Sequence, residues 1–209
     1  MFENLANDTG NDEIEAKILG VDTEEVQQRL REAGAIHEGN FFITEQRYCP
    51  TDAMREKGLS GPRLRRLTGV HGEQLELTIK QKLPSLVLPS RTDLGPKFKR
   101  RTEHEFIQHG AAKGKRRYQL MQSLLDDTFT RRGDMLSART RFVLGAVRVE
   151  LDHILSCDGS SENLPPPFLE IEGPTPQTIL EVARAIGYKI EDLCALTKQD
   201  VIEAHRQGT

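Results

Sequence analysis

Charged residues occupy every second position in seven short stretches of this 209-residue chain, and apolar residues lie between them. A period of two is the period of a β-strand, in which successive side chains point to opposite faces. Each stretch therefore has one charged face and one apolar face, and across the seven stretches the charges are both acidic and basic. The charged positions are Glu13, Glu15 and Lys17; Arg63 and Arg65; Glu76, Lys80 and Lys82; Arg101, Glu103 and Glu105; Arg139 and Arg141; Arg148, Glu150 and Asp152; and Glu170 and Glu172.

This mixture of charges suits a site for a metal ion and a phosphorylated ligand. Carboxylates are preferred ligands of hard divalent cations, and Lys and Arg side chains bind phosphate oxygens. Glu13, Glu15, Glu170 and Glu172 lie towards the two ends of the chain, and they would repel one another in a shared lumen unless cations were present. Mg²⁺ or Mn²⁺ would remove that repulsion, and Asp152 is a fifth candidate ligand.

Other interpretations of the charged stretches stay open at this point. Glu13 and Lys17 are four residues apart, so the first stretch also fits a helix with an ion pair on one face. The Arg-Leu-Arg-Arg run at 63–66 has the composition of an ordinary solvated surface. Two further basic clusters, at 97–101 and 113–117, support a nucleic-acid-binding alternative. They lack interleaved aromatic residues, so we rank that alternative last.

Composition limits the classes of protein that the chain can belong to. The net charge of -3 provides no global attraction to nucleic acid or anionic lipid. No apolar run approaches the ~20 residues of a membrane span. The three cysteines are few and far apart, which argues against a disulfide framework and favours a reducing compartment. We expect a cytoplasmic protein with a single domain over 13–209, preceded by a flexible tail over 1–12.

The hydrophobic patterns predict a mixture of strands and helices. If the helices cover the apolar faces of the strands, the charged faces turn inward, and a closed sheet of such strands is a barrel with an ionic lumen. We therefore predict an α+β fold. Strands are predicted over 13–19, 36–48 (one or two strands), 63–68, 74–82, 101–107, 138–145, 147–155 and 168–172; helices over 23–33, 117–126 and 176–186, with a last helix from Thr197; loops over 50–62, 83–99 and 156–167; and a turn at 132–134.

Several common site motifs are absent from the sequence. The six histidines show no HxH or HExxH spacing, which argues against a histidine metal site. The chain contains no Gly-rich phosphate loop of the GxxxxGK[ST] type and no GxSxG elbow. Phosphate binding would therefore depend on side chains that line a tunnel.

In order and spacing, the charged motifs resemble those of the CYTH superfamily, the triphosphate tunnel metalloenzymes. The resemblance runs from residue 13 to about residue 187. The motifs are Glu-Ile-Glu-Ala-Lys at 13–17, Arg-Leu-Arg at 63–65, Leu-Thr-Ile-Lys at 77–80, Arg-Thr-Glu-His-Glu at 101–105, Arg-Thr-Arg at 139–141, Val-Glu-Leu-Asp at 149–152 and Phe-Leu-Glu-Ile-Glu at 168–172.

This resemblance implies an eight-stranded antiparallel tunnel with helices outside, which hydrolyses triphosphate compounds with Mg²⁺ or Mn²⁺. It also implies a role for each matching residue. The implied metal ligands are Glu13, Glu15, Asp152, Glu170 and Glu172. The implied triphosphate-binding residues are Lys17, Arg63, Arg65, Lys80, Arg101, Arg139 and Arg141. Tyr48, paired with Lys17, is implied to help activate water, although Cys49 and Pro50 follow it where family members carry an aspartate.

We expect a small-molecule triphosphate as substrate. Inorganic tripolyphosphate is favoured over thiamine triphosphate and nucleoside triphosphates, because the chain has no tryptophan to stack on an organic ring. The alternatives are a class IV adenylyl cyclase and a non-catalytic module that binds polyphosphate or a nucleotide. The sequence leaves the oligomeric state open, and a homodimer is one option.

Overall fold

The structure is a computed structural model that describes residues 11–70, 72–84, 86, 97–109 and 114–208. Helices are interspersed among the strands along the part of the chain that it describes. The strands are β1 (Asn11–Leu19), β2 (Ile36–Tyr48), β3 (Arg63–Gly69), β4 (Gly72–Lys82), β5 (Lys99–His109), β6 (Arg131–Leu144), β7 (Val147–Cys157), β8 (Phe168–Gly173) and β9 (Leu193–Cys194). The helices are α1 (Thr23–Glu32), α2 (Asp52–Glu56), α3 (Gly114–Thr128), α4 (Pro176–Ala185) and α5 (Lys198–Gly208).

Eight of these strands form a closed antiparallel barrel, as predicted. Their order is β5-β4-β3-β2-β6-β7-β8-β1, and β1 pairs again with β5. The closure is visible at Glu15, which lies opposite Glu172 of β8 and opposite Lys99 of β5. The short strand β9 pairs with Lys17 and Ile18 of β1. The fold class is therefore α+β with a closed barrel.

Helices cover the apolar outer faces of the strands on one side of the barrel. Ile18, Val149 and Ile171 belong to a buried cluster that also contains Leu30 of α1 and Ile179 of α4. Both helices have strong N-terminal caps, since Asp22 accepts two backbone hydrogen bonds and Thr175 forms a capping box. Because these outer faces are buried under helices, the charged faces of the same strands point into the lumen.

The two ends of the barrel differ. α5 closes one end, where its Val201 and Ile202 join a buried cluster with Met135 of β6, Ile154 of β7 and Phe168 of β8. The other end is open and contains the N-terminal residues of β1 and β7 and the C-terminal residues of β8. We call the open end the mouth. Among the described residues, no helix has the length and apolar character that crossing a membrane requires.

The element boundaries differ from the prediction in several places. The chain segment 36–48 is one strand, which is one of the two predicted options, and a short helix, α2, lies inside the predicted loop 50–62. The turn predicted at 132–134 is wrong, because β6 begins at Arg131 and pairs with the end of β2. β1 begins at Asn11, two residues early. Residues 1–10, and most of the predicted loop 83–99, lie outside the described residues.

Candidate active site

The mouth contains an acidic cavity of about 500 Å³. Its only basic lining residue among the described residues is Arg148, whose Nη1 lies 3.3 Å from the carboxylate of Glu172. Carboxylates from β1, β5 and β8 meet here because barrel closure places these strands side by side. The cavity is lined by Asp12, Glu13, Glu103, Glu105, Ala146, Arg148, Glu172, Gly173 and Pro174.

Glu13 and Glu172 form a closely coupled pair at this mouth. Burial and the adjacent Glu13 carboxylate raise the pKa of Glu172 to about 8. The pKa of Glu13 is lowered, since Lys80 and Arg101 outweigh its burial. A hydrogen bond joins the two carboxyl groups, and the raised pKa of Glu172 favours its protonated form near neutral pH. A cation bound beside Glu172 would favour the ionised form of its carboxyl group instead.

Deeper in the lumen, Lys17 lies between two carboxylates. Its Nζ is 3.0 Å from Glu15 Oε1 and 2.8 Å from Glu170 Oε2, and these contacts outweigh burial and raise the pKa of Lys17. Glu15 also contacts Arg101, and its Oε1 lies 3.3 Å from Lys99 Nζ. The carboxylates of Glu15 and Glu170 thus each balance the charge of at least one buried cation.

Asp152 forms a second buried ionic group with one residue from α5. Arg139 donates two hydrogen bonds to the Asp152 carboxylate, both at 2.7 Å. Lys198, the first residue of α5, places its Nζ 2.7 Å from Asp152 Oδ2. These cations outweigh burial and hold the pKa of Asp152 below its ordinary value. The C-terminal helix therefore contributes a charge to the lumen.

The arginines of β3 retain hydrogen-bonding capacity. Arg65 Nη2 lies 2.7 Å from Glu76 Oε2, and Arg63 Nη2 lies 4.0 Å from Glu103 Oε2. Within the part of the chain that the structure describes, Nε and Nη2 of Arg63 and Nε of Arg65 are buried without a hydrogen-bond partner. Because buried donors are normally satisfied, these N–H groups are suited to an anionic ligand.

The structure brings nearly all of the predicted site residues to one lumen. Lys80 contacts Glu103 and lies 3.8 Å from Glu13, and Arg141 donates a 2.9 Å hydrogen bond to Glu150. The predicted residues that face the lumen are Glu13, Glu15, Lys17, Arg63, Arg65, Lys80, Arg101, Arg139, Arg141, Asp152, Glu170 and Glu172. Their roles as metal ligands or phosphate-binding groups stay predictions.

Tyr48 does not lie with these residues, and the predicted pairing of Tyr48 with Lys17 is wrong. Tyr48 packs on the outside of the barrel, in a cluster with Leu64 and Tyr118. Its hydroxyl donates a 3.0 Å hydrogen bond to Asp126 of α3. The physical reason is strand alternation, which puts Tyr48 on the face of β2 opposite to the lumen-facing Glu45.

The donors at the mouth fit a divalent cation better than those deeper in the lumen. Glu13 and Glu172 line the open cavity, and the nearest cation to each in the described part of the chain, Arg101 and Arg148 respectively, lies 3.3 Å away. Their carboxyl oxygens are the type of ligand that Mg²⁺ and Mn²⁺ prefer. Asp152, Glu170 and Glu15 contact buried cations instead. Among the described residues, no three His, Cys, Asp or Glu side chains are grouped closely enough to form a ready-made metal cage.

Several lumen residues were not among the predicted site residues. Lys99 has the same parity in β5 as Arg101 and Glu103, so the alternation could have been extended to it, whereas Lys198 begins a helix and has no such pattern. Glu76, Glu103 and Glu150 are buried acids in the charged stretches that were given no role, and Glu45 is a buried acid between two polar residues. All four are acids that face lumen arginines or lysines.

The fold is similar to several solved structures. The PH1012 protein from Pyrococcus horikoshii OT3 is 21% identical with a TM-score of 0.61, over 91% of this chain and 98% of that one. The chain shares its fold, a closed antiparallel barrel with helices outside, with this protein. A proposed adenylate cyclase from Vibrio parahaemolyticus gives a TM-score of 0.62 at 14% identity, over 93% of this chain and 99% of that one.

A third similar structure is HpAC1 from Hippeastrum, a proposed adenylyl cyclase for which a dominant triphosphatase activity is described. It is 14% identical, with a TM-score of 0.55 over 94% of this chain and 96% of that one. No family model matches the chain, and no curated protein sequence matches it.

Proposed function

We propose that this protein is a metal-dependent triphosphatase that hydrolyses the terminal phosphoryl group of a linear triphosphate inside the barrel. The observation that supports this most directly is the enclosed lumen lined by both signs of charge, in which Arg63 and Arg65 hold buried N–H groups without partners. The triphosphatase activity described for the similar HpAC1 structure points to the same chemistry.

In this proposal the basic residues bind and orient the three phosphates. Arg63 and Arg65 come from β3 and Lys17 comes from β1, so they can contact a linear anion from two strands and hold it in line for attack by water. Neutralising the equatorial oxygens stabilises a loose transition state, and this requires little acid–base chemistry from the protein. Tripolyphosphate is the minimal ligand that uses these contacts.

The acidic residues divide into two roles. Glu15, Glu170 and Asp152 fix the positions of Lys17, Arg101 and Arg139 through buried ion pairs. Glu13 and Glu172 at the mouth would hold Mg²⁺ or Mn²⁺. When bound, the metal would supply charge neutralisation at the phosphate oxygens.

A phosphate-release panel tests this function. Tripolyphosphate, thiamine triphosphate, ATP and GTP are incubated with the protein and with Mg²⁺ or Mn²⁺. We expect release of one phosphate per substrate molecule. The rate of phosphate release should fall about 100-fold in Glu172→Gln, which is within the range of losses seen when groups around a metal site are changed. Glu181→Gln, on the exposed side of α4, is the matched control. The proposal fails if no triphosphate is hydrolysed or if Glu172→Gln keeps full activity at saturating metal.

A class IV adenylyl cyclase is the second candidate, because a proposed adenylate cyclase shares the fold. The same lumen would then close ATP on itself. Product analysis with ATP and Mn²⁺ separates the two reactions: the triphosphatase yields ADP and phosphate, whereas the cyclase yields cyclic AMP and pyrophosphate.

A further inference from the structure

The ionic lining of the lumen is interrupted on one wall, where β2 and β3 approach the mouth. Phe41 and Ile43 of β2 lie opposite Gly69 and Leu67 of β3. Phe41 is also opposite Arg139, a residue of the charged lining. Alternation along β2 therefore directs Phe41 towards the lumen, and its neighbour Phe42, which is 61% exposed, towards solvent.

The ring of Phe41 lies against two glycines. A Cβ atom at Gly69 would come within 3.0 Å of Phe41 Cδ1, and one at Gly39 within 3.4 Å of Phe41 Cζ. The ring thus lies against the backbone of Gly69, and a larger residue at that position would displace the ring. Phe41 is only partly buried and belongs to none of the hydrophobic clusters that the described residues form.

Arg141 connects this aromatic surface to the charged lining. Its guanidinium Cζ lies 5.1 Å from the centre of the Phe41 ring, and its Nε donates to Glu150 at 2.9 Å. A planar cation over an aromatic ring can stack with a further planar group or bind an anion. One residue therefore touches the ring and belongs to the group predicted to bind phosphate.

Phe41 lies on the mouth side of Arg63 and Arg65, at the level of Arg139. β2 begins at the open end, beside the C-terminal part of β6, and β6 ends beside the start of β7, where Arg148 lines the acidic cavity. On β3, Gly69 and Arg65 are four residues apart, roughly 13 Å along a strand. A triphosphate held by Arg65 and Arg63 would place its distal substituent near Phe41.

We propose that Phe41, supported by Gly39 and Gly69 and linked to the phosphates by Arg141, is a specificity-determining platform for the planar ring of an organic triphosphate. This inference rests on the proposed triphosphatase function and deepens it. The preferred substrates are then triphosphates joined to a heteroaromatic ring, as in a nucleoside or thiamine triphosphate, and tripolyphosphate is a minimal substrate that leaves the platform unused. The absence of tryptophan does not exclude such a ring, because phenylalanine can provide the stacking surface in its place.

The test compares Phe41→Ala with Phe42→Ala, two neighbouring phenylalanines on opposite faces of the same strand. We measure kcat/KM for ATP, GTP, thiamine triphosphate and tripolyphosphate with Mg²⁺ and Mn²⁺. Stacking of one ring contributes about 1–3 kcal/mol, which corresponds to a factor of about 5 to 150. The ratio of kcat/KM for the best ring-bearing substrate to that for tripolyphosphate should fall by about that factor in Phe41→Ala. It should stay within twofold of wild type in Phe42→Ala.

Phe41→Trp serves as the conservative variant and should keep or raise this ratio. The proposal is overturned if Phe41→Ala leaves the ratio unchanged, if it lowers both rates equally in a folded protein, or if wild type hydrolyses tripolyphosphate alone. Comparison of kcat/KM for ATP, GTP and thiamine triphosphate shows which ring the protein prefers.

A binding measurement separates failure of this inference from failure of the proposed function. If wild type hydrolyses no triphosphate, the triphosphatase proposal fails, and titration calorimetry with ATP and with tripolyphosphate still tests the platform. The platform predicts that ATP binds wild type more tightly than it binds Phe41→Ala, by the same factor of about 5 to 150. Equal ATP affinity in the two proteins refutes the platform.

Discussion

Asp152→Asn tests whether the buried charges of the lumen depend on one another. Asp152 has no exposed surface, and its carboxylate contacts both Arg139 and Lys198 at 2.7 Å. Asparagine has nearly the same volume but no charge, so the substitution leaves two buried cations with less compensation.

The expected loss of stability follows from these contacts. Removing one member of a buried ion pair costs about 3–5 kcal/mol. Arg139 keeps its contact with Glu150, so we expect the lower end, about 3 kcal/mol. At about 2–4 °C per kcal/mol for a chain of this size, the melting temperature should fall by about 6–12 °C.

Urea denaturation followed by circular dichroism, without added metal, measures this loss. The exposed Asp127→Asn on α3 is the matched control and should stay within about 0.5 kcal/mol of wild type. Adding Lys198→Met to Asp152→Asn removes the surplus cation and should recover about 1–2 kcal/mol of the free energy of unfolding. A loss below 1 kcal/mol in Asp152→Asn, or no recovery in the double variant, would refute the reasoning.

Two further predictions concern the mouth and the outer face of β2. Since the folded-state pKa of Glu172 is raised from 4.5 to about 8, its contribution to stability is complete below pH 4.5 and is lost as the pH rises to about 8. Without metal, the melting temperature of Glu172→Gln should therefore depend less on pH between these values than that of wild type. An equal dependence of the melting temperature on pH in the two proteins would contradict this. Tyr48→Phe should cost about 1 kcal/mol by removing the hydrogen bond to Asp126. It should leave the rate of phosphate release within twofold of wild type. A larger loss of kcat would show that Tyr48 has a role in the reaction.

The sequence predicted the barrel because its strands alternate strictly. Ile18, Val149 and Ile171 form buried outer faces as the two-residue period requires. The start of β6 was missed because Arg131, Arg132, Gly133 and Asp134 carry no apolar alternation. This segment pairs with β2, which is distant in the sequence, and no local pattern reveals such a pairing.

The composition of the site was predictable in part. Residues within alternating stretches, such as Glu15, Arg65 and Glu170, reach the lumen. Lys198 enters the lumen through the position of α5, which no local pattern reveals. Tyr48 was assigned by resemblance, although its parity on β2, opposite to that of Glu45, places it outside. Phe41 was missed because an isolated phenylalanine pair does not show which ring faces inward.

The most direct test of the central claim is a crystal structure with Mn²⁺ and tripolyphosphate at low temperature. We predict an anomalous Mn²⁺ peak at coordinating distance from the carboxylates of Glu13 and Glu172, with phosphate oxygens bound by Arg63 and Arg65 inside the barrel. Mn²⁺ and tripolyphosphate bound on the outer surface, with the lumen holding neither, would contradict the account.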